Sequence, residues 1–344
     1  MIRKSWGSVR TFFAAWRIRL FEGYPPQKKF EPARVKKVLV IRLDKVGDLI
    51  LSTPVFENLK HNLPGVKISV LVRKYNAGVL KGNPFVDEIL VYENREERKR
   101  ARTKGFDLAL NLIYDFNLES ALACYYSGAV WRAGYKDRHT RNFYNFEAVR
   151  DPAPKYELQR NLDILRQLGF KINSENSRLF PSLEEVKECE EFKKALGLDN
   201  KELLICLNPG TGRKRREWPL DKFIELGKKL VSEKNAKILV IWGDADKGIA
   251  KGLVDGIGKG AYMAPRTNIT LLAALLQICR VFVSGNTGPA HVAMAMKVPL
   301  VGLYGKGDQL NWIPAGEKSL EVVMAERCSL ITVFEVMQGI GKFL

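Results

Sequence analysis

"VIRLDKVGDLILSTP", residues 40–54, decides the fold. Val40 to Leu43 close an apolar, β-branched run that begins at Val35, and Val46-Gly47-Asp48 turn it at once into an apolar segment of helical period. A strand that enters a helix through a tight glycine corner opens a βα unit of a parallel sheet. A carboxylate, Asp48, stands on that corner. A helix N-terminus welcomes negative charge, so Asp48 is accounted for as a first-turn residue. Strand-to-helix corners are equally where α/β sheets place their sites.

Working outward, the same alternation continues. Strands are expected at 35–43, 66–73, 86–92, 106–113 and 129–135, with helices at 48–61, 93–104, 118–127 and 156–168 and a short helix and turn at 77–84. Pro54 makes the first turn of the 48–61 helix irregular. A basic, aromatic loop occupies 135–146. The segment 179–198 starts a second unit with strands at 203–210, 236–243, 280–285 and 299–305 and helices at 220–234, 244–254, 269–278 and 288–297. Two α/β units in tandem follow, split near 170–180, each with a mostly parallel sheet covered by helices on both faces. No sequence repeat relates them.

Composition bounds the function. At 344 residues with 46% hydrophobic and 27% charged residues, the chain has apolar material for two cores. Lys+Arg 56 against Asp+Glu 38 gives a formal charge of +18, so acidic partners are expected: nucleic acid, an anionic membrane or phosphorylated small molecules. Cys124, Cys189, Cys206, Cys279 and Cys328 form no CxxC pair, and His61, His139 and His291 have no metal-ligand spacing. Reduced thiols in a cytoplasmic protein and no metal site are expected. No apolar run is long enough to span a bilayer.

Residues 1–34 stand apart as a basic amphipathic arm and linker. Trp6, Val9, Phe13, Trp16 and Leu20 make one helical face, flanked by Arg3, Arg10 and Arg17, and "GYPPQKKFEP" (23–32) ends the helix. Aromatics beside arginines suit a helix lying in a membrane interface through residues 1–22. The same face would also serve for packing on the body of the protein or on a twin subunit.

The second unit carries three strand-end motifs. "LNPGTGRKRREWP" (207–219) leaves a strand into a Gly/Thr loop and a basic run, a phosphate cradle built on Thr211, Gly212 and Arg216 or else a solvated loop. "VSGNTGPAHVAMAM" (283–296) turns through Asn286-Thr287-Gly288-Pro289 into a small-residue helix whose first N–H groups suit a diphosphate. Thr287 is alternatively an N-cap, and His291, on the first turn, is either a ligand contact or a structural histidine. "IWGDADKG" (241–248) supplies Asp244 and Asp246, suited to ribose hydroxyls or to a helix N-terminus.

Together, "VLVIRLDKVGDLILSTPVFENLK" (38–60), "GNPFVDEIL" (82–90), "RREWP" (215–219) and "NTGPAHVAMAMKVPLVGLYG" (286–305) resemble glycosyltransferase family 9, the ADP-heptose:lipopolysaccharide heptosyltransferases. The resemblance runs from about Val35 to the C-terminus. It implies an α/β fold of GT-B type, two Rossmann-like domains facing across a cleft. The first would span 35–175, on the acceptor side, and the second 176–328, on the sugar-nucleotide side. A C-terminal helix (329–344) would return to the first domain. It further implies an inverting, metal-independent enzyme without cofactor, in which Asp48 is the general base and Lys45 and Gly47 lie beside it on the acceptor side. Thr211, Gly212, Arg216, Asp246, Asn286, Thr287, Gly288 and His291 would hold the nucleotide-sugar donor.

The implied reaction moves heptose from ADP-heptose onto an anionic glycolipid, a lipopolysaccharide core of the lipid A-Kdo type, at the cytoplasmic face of the inner membrane. Two positions depart from the family pattern. Asn286 stands where Asp is usual, and Arg216 where Lys is usual. An uncharged Asn286 shifts the expected donor preference. A non-catalytic GT-B relic or nucleotide binder, a nucleic-acid binder, and a GT-B sugar-nucleotide epimerase are the other readings. No recognised nucleic-acid module is present, and an epimerase would not need a membrane arm.

Overall fold

A computed structural model describes residues Trp16, Ile18, Pro26, 28–140, 142–198, 202–306 and 310–344. The membrane-facing reading of residues 1–22 therefore lies outside the described residues, apart from Trp16, which is half exposed, and Ile18, which is fully buried in the same core as Leu39 and Ile41. The chain divides into two compact units, 1–176 and 177–344.

The first unit is one parallel sheet of six strands: β1 (Lys37–Arg42), β2 (Lys67–Val72), β3 (Glu88–Val91), β4 (Leu108–Asn111), β5 (Trp131–Tyr135) and β6 (Phe146–Ala148). Its order is β3-β2-β1-β4-β5-β6, all neighbours parallel, with Val40 opposite Val70 on one side and Leu110 on the other. Helices α1 (Val46–Ile50), α2 (Thr53–Asn62), α3 (Arg95–Thr103), α4 (Leu118–Tyr126) and α5 (Glu157–Gln167) connect or cover the strands. Five of the six β1 residues are buried, because a parallel strand with helices on both faces has no solvent side.

The second unit repeats the plan. Strands β7 (Leu204–Asn208), β8 (Lys237–Val240), β9 (Ala261–Met263), β10 (Val281–Gly285), β11 (Leu300–Gly305) and β12 (Leu320–Ala325) run in the order β12-β11-β10-β7-β8-β9, again all parallel. Helices α6 (Leu183–Ala195), α7 (Leu220–Lys234), α8 (Lys247–Ile257), α9 (Ile269–Gln277), α10 (Gly288–Ala295) and α11 (Val333–Gly341) surround it. Counting from each unit's first strand, both orders read 3-2-1-4-5-6, the dinucleotide-fold order. The strand order reverses between β1 and β4 and again between β7 and β10, where α/β sheets open a crevice.

Several expectations need correction. The single helix at 48–61 is two helices: Pro54 has no N–H to bond the Ile50 carbonyl, which accepts from the Thr53 hydroxyl at 2.8 Å instead. The helix expected from 244 starts at Lys247, because Gly243 to Asp246 form a turn closed by the Asp246 N–H on the Gly243 carbonyl at 2.9 Å. Strands β6, β9 and β12 were not expected; all three lie at sheet edges and are mostly half-buried. The C-terminal helix, expected to return to the first domain, is part of the second unit. Val336 and Ile340 are buried in that unit's core, and Trp218 Nε1 and Lys222 Nζ hold the Ile331 carbonyl just before the helix.

The second core is packed tightly enough to test. A Cβ on Gly302 of β11 would lie 2.4 Å from the ring of Tyr304, which is fully buried and cannot swing aside. Gly302→Ala is therefore expected to destabilise the protein by about 1–3 kcal/mol, read as a lower urea midpoint by circular dichroism.

Candidate active site

The end of β1 carries the first group of polar residues. Asp48 is buried at the third position of α1, where its Oδ2 accepts from the Lys45 N–H at 3.1 Å. Gly47 is buried beneath it and Lys45 is exposed. Under this corner lies Arg42, the last residue of β1 and fully buried. Its Nε is 3.0 Å from Asp44 Oδ1, and its Nη2 is 3.4 Å from Asp48 Oδ1 and 3.0 Å from Glu157 Oε1. Nη1 donates to the Leu112 carbonyl at the end of β4. One guanidinium thus ties three carboxylates to the β1/β4 switch point.

The electrostatics follow from that count. Burial works against the Arg42 charge, but Asp44, Asp48 and Glu157 outweigh it and push its pKa up, so it stays a cation. Burial pushes Asp44 up to about 7, aided by Asp48 and Glu157 and opposed by Arg42. Burial raises Glu157 as well, against the pull of Arg42. Neither Arg42, Asp44 nor Glu157 was singled out in the sequence. Arg42 left a signal, a charge inside the apolar run "VLVIRL". Glu157, 115 residues further on, left none.

In the second unit, the ends of β7, β8 and β10 surround a pocket of about 330 Å³. Of the residues expected to hold a donor, Thr211, Gly212, Asp246, Thr287 and Gly288 line it together, with Asn208, Gly210 and Trp242. Gly210 is there for space: a Cβ would lie 2.4 Å from Asp246 Oδ2. Thr287 precedes α10 but its side chain does not cap the helix. Its hydroxyl is held instead by Asn208 Nδ2 at 3.2 Å and Ser284 Oγ at 3.0 Å. The positive end of α10 is left without a side-chain cap beside the pocket, the arrangement that binds anions.

The remaining residues sit around this pocket without lining it. Arg216, in a short 3-10 turn, donates from Nη1 to the Asn286 carbonyl at 3.1 Å, while Arg213 and Lys214 of the same basic run are exposed. Asn286 is 7% exposed and its buried Nδ2 has no hydrogen-bond partner. His291 is buried within α10, its ring 5.8 Å from that of Trp312. Asp244 is paired at the surface with Arg266 at 2.7 Å and is no part of the pocket. Among the described residues, no group of three or more His, Cys, Asp or Glu is placed to hold a metal ion.

The family model described as glycosyltransferase family 9 (heptosyltransferase) matches residues 95–333, well over half of the chain and beginning beyond Asp48. Lipopolysaccharide heptosyltransferase 3 of Escherichia coli (strain K12) is 23% identical over 297 residues, covering 80% of this chain and 84% of that protein. Among solved structures, a glycosyltransferase of family 9 from Veillonella parvula aligns with a TM-score of 0.83 at 21% identity, over 92% of this chain and 99% of that one. An ADP-heptose lipopolysaccharide heptosyltransferase II from E. coli aligns with a TM-score of 0.74 at 21% identity, over 89% and 98%. At these identities the structural likeness establishes the fold, the GT-B type.

The carboxylate cluster has a pH signature. A carboxyl group whose pKa is raised by folding binds its proton more tightly in the native state, so its stabilising contribution is complete below about pH 4 and is lost as the pH rises. For Asp44 that loss is complete above its folded value of about 7. Asp44→Asn removes the dependence: thermal melts are expected to show the variant gaining on the wild type at pH 7.5 relative to pH 5.

Proposed function

From the premise that the chain belongs to glycosyltransferase family 9, we propose that it transfers heptose from ADP-heptose to a lipopolysaccharide core acceptor of the lipid A-Kdo type. The observation that carries the donor half is the second unit's pocket: a Gly210-Thr211-Gly212 loop with Asp246 packed against it, and the uncapped start of α10. Backbone N–H groups and a helix dipole suit a diphosphate, and a carboxylate past a strand end suits ribose hydroxyls. ADP-heptose is named in the E. coli structural relative, and a lipopolysaccharide heptosyltransferase is among the sequence relatives.

In this reading Asp48 is the general base. The acceptor oxygen attacks the anomeric carbon from the face opposite the diphosphate while its proton passes to the Asp48 carboxylate. The bond from the anomeric carbon to the phosphate oxygen breaks, its electron pair leaves with ADP, and the configuration inverts. Negative charge grows on the leaving diphosphate. Arg216, Thr211 and the N–H groups at Thr287 and Gly288 supply the counter-charge without a metal. Asn286 offers the sugar an uncharged amide where an acidic residue is usual. The acceptor is anionic and membrane-bound, which the excess of basic residues suits, and the N-terminal arm would bring the enzyme to the cytoplasmic surface of the inner membrane as a peripheral protein. Among the described residues no helix is long and apolar enough to cross a membrane.

The deciding assay is ADP release from ADP-heptose with a deep-truncated lipid A-Kdo acceptor. Asp48→Asn is expected to lower kcat by about 10²–10⁴-fold while ADP-heptose binds as before. Turnover of a different sugar nucleotide alone would replace heptose as the donor. Full activity in the variant would remove Asp48 from its role. Independently, wild-type turnover should be unchanged after EDTA treatment, and loss restored by a metal ion would overturn the metal-independent mechanism.

A further inference from the structure

The donor pocket and Asp48 leave one built feature unused, the buried guanidinium beneath the corner. We propose that Arg42 is the positioning residue of the base, and that Glu157 and Asp44 set how firmly it grips Asp48. This rests on Asp48 being the base. Arg42 cannot itself meet an acceptor, because its side chain is wholly buried. Its place is nonetheless costly. A buried charge is expensive unless paired, and here it is paired by three elements: the β1 corner, α1 and the first residue of α5.

The geometry divides the grip unequally. Glu157 and Asp44 each lie 3.0 Å from the guanidinium, while Asp48 lies at 3.4 Å. Asp48 is further anchored by the Lys45 N–H on its other oxygen. It is therefore oriented from two sides without being fully clamped. A carboxylate held by an arginine of its own would be a poor proton acceptor, because an adjacent cation stabilises its ionised form. Two competing carboxylates weaken that hold while keeping the guanidinium fixed.

The surroundings supply few other charges. Arg160 of α5 lies 3.6 Å from Glu157. Beyond β2, Arg73 and Tyr75 contact backbone carbonyls, those of Leu43 and Asp44 respectively, and Tyr135 of β5 senses Glu157 and Arg42. Lys45 is exposed. Arg42, Asp44, Asp48 and Glu157 form one cluster, so a substitution at any one of them acts on the others.

Two substitutions are expected to move the same profile in opposite directions. Glu157→Gln frees Arg42 to pair with Asp48, so the acid limb of kcat/KM should move down by about one pH unit, with a lower plateau because the base is weaker. Arg42→Lys keeps a charge but loses the planar fork that reaches three carboxylates and the Leu112 carbonyl. It should move the limb up and lower kcat by about a hundredfold, with the KM for ADP-heptose unchanged because that pocket is in the other unit. A merely structural arginine predicts melting changes without these shifts. If Arg42→Lys does not fold, Glu157→Gln decides alone. Asp48→Asn is run beside them. Loss of turnover in Asp48→Asn with wild-type limbs and kcat in the folded variants overturns the role of Arg42 and leaves the base standing. Retained turnover in Asp48→Asn overturns both.

Discussion

A parallel sheet buried on both faces sends the carboxyl end of every strand to one edge. The placement of the candidate sites in this chain follows from that constraint. The strand interiors are consumed by packing: β1 and β7 are buried almost throughout. Polar chemistry is confined to the residues just past the strand ends, and the 3-2-1-4-5-6 order opens a crevice beside the first strand of each unit. Asp48 follows β1. Thr211 follows β7, Asp246 follows β8, and Asn286 to Gly288 follow β10. Residues far apart in sequence share an edge because the topology leaves them no other place.

Arg42 is the exception that tests the rule. It belongs to a strand, yet carries a charge into the interior. Such a charge is tolerated only where pairing and hydrogen bonds replace its water. Three carboxylates and a carbonyl do this, and the consequence runs both ways. Burial, aided by the neighbouring carboxylates, pushes Asp44 and Glu157 toward their protonated forms, and the one shared guanidinium does not offset it.

What the sequence made legible and what it hid divide along the same physical line. Central strands announced themselves, because burial on both faces demands an unbroken apolar run; edge strands β6, β9 and β12 are mostly half-buried, and the first two are only three residues long. Local motifs were readable where neighbours in the chain are neighbours in space, as in Thr211-Gly212 and Thr287-Gly288, which line one pocket. The partners of Arg42 were not readable, since Glu157 reaches it across 115 positions and only folding brings them together. The terminal helix was misplaced for a similar reason. It is attached to the second unit by the burial of Val336 and Ile340 and by Trp218 and Lys222 holding a carbonyl more than 100 residues away, contacts no local pattern encodes.

The two switch points share a topology but have opposite electrostatic characters. In each, a strand ends at a helix N-terminus, which attracts negative charge. In the first unit the protein fills that position itself: the Asp48 carboxylate turns back onto the Lys45 N–H. In the second unit Thr287 is drawn away by Asn208 and Ser284, and the start of α10 is left without a side-chain cap. One corner therefore suits a group that gives up a proton, and the other suits a group that arrives already charged. A transfer from a nucleotide diphosphate to a hydroxyl needs one site of each kind. In the proposed function, a fold used twice would supply both by a change in what caps one helix.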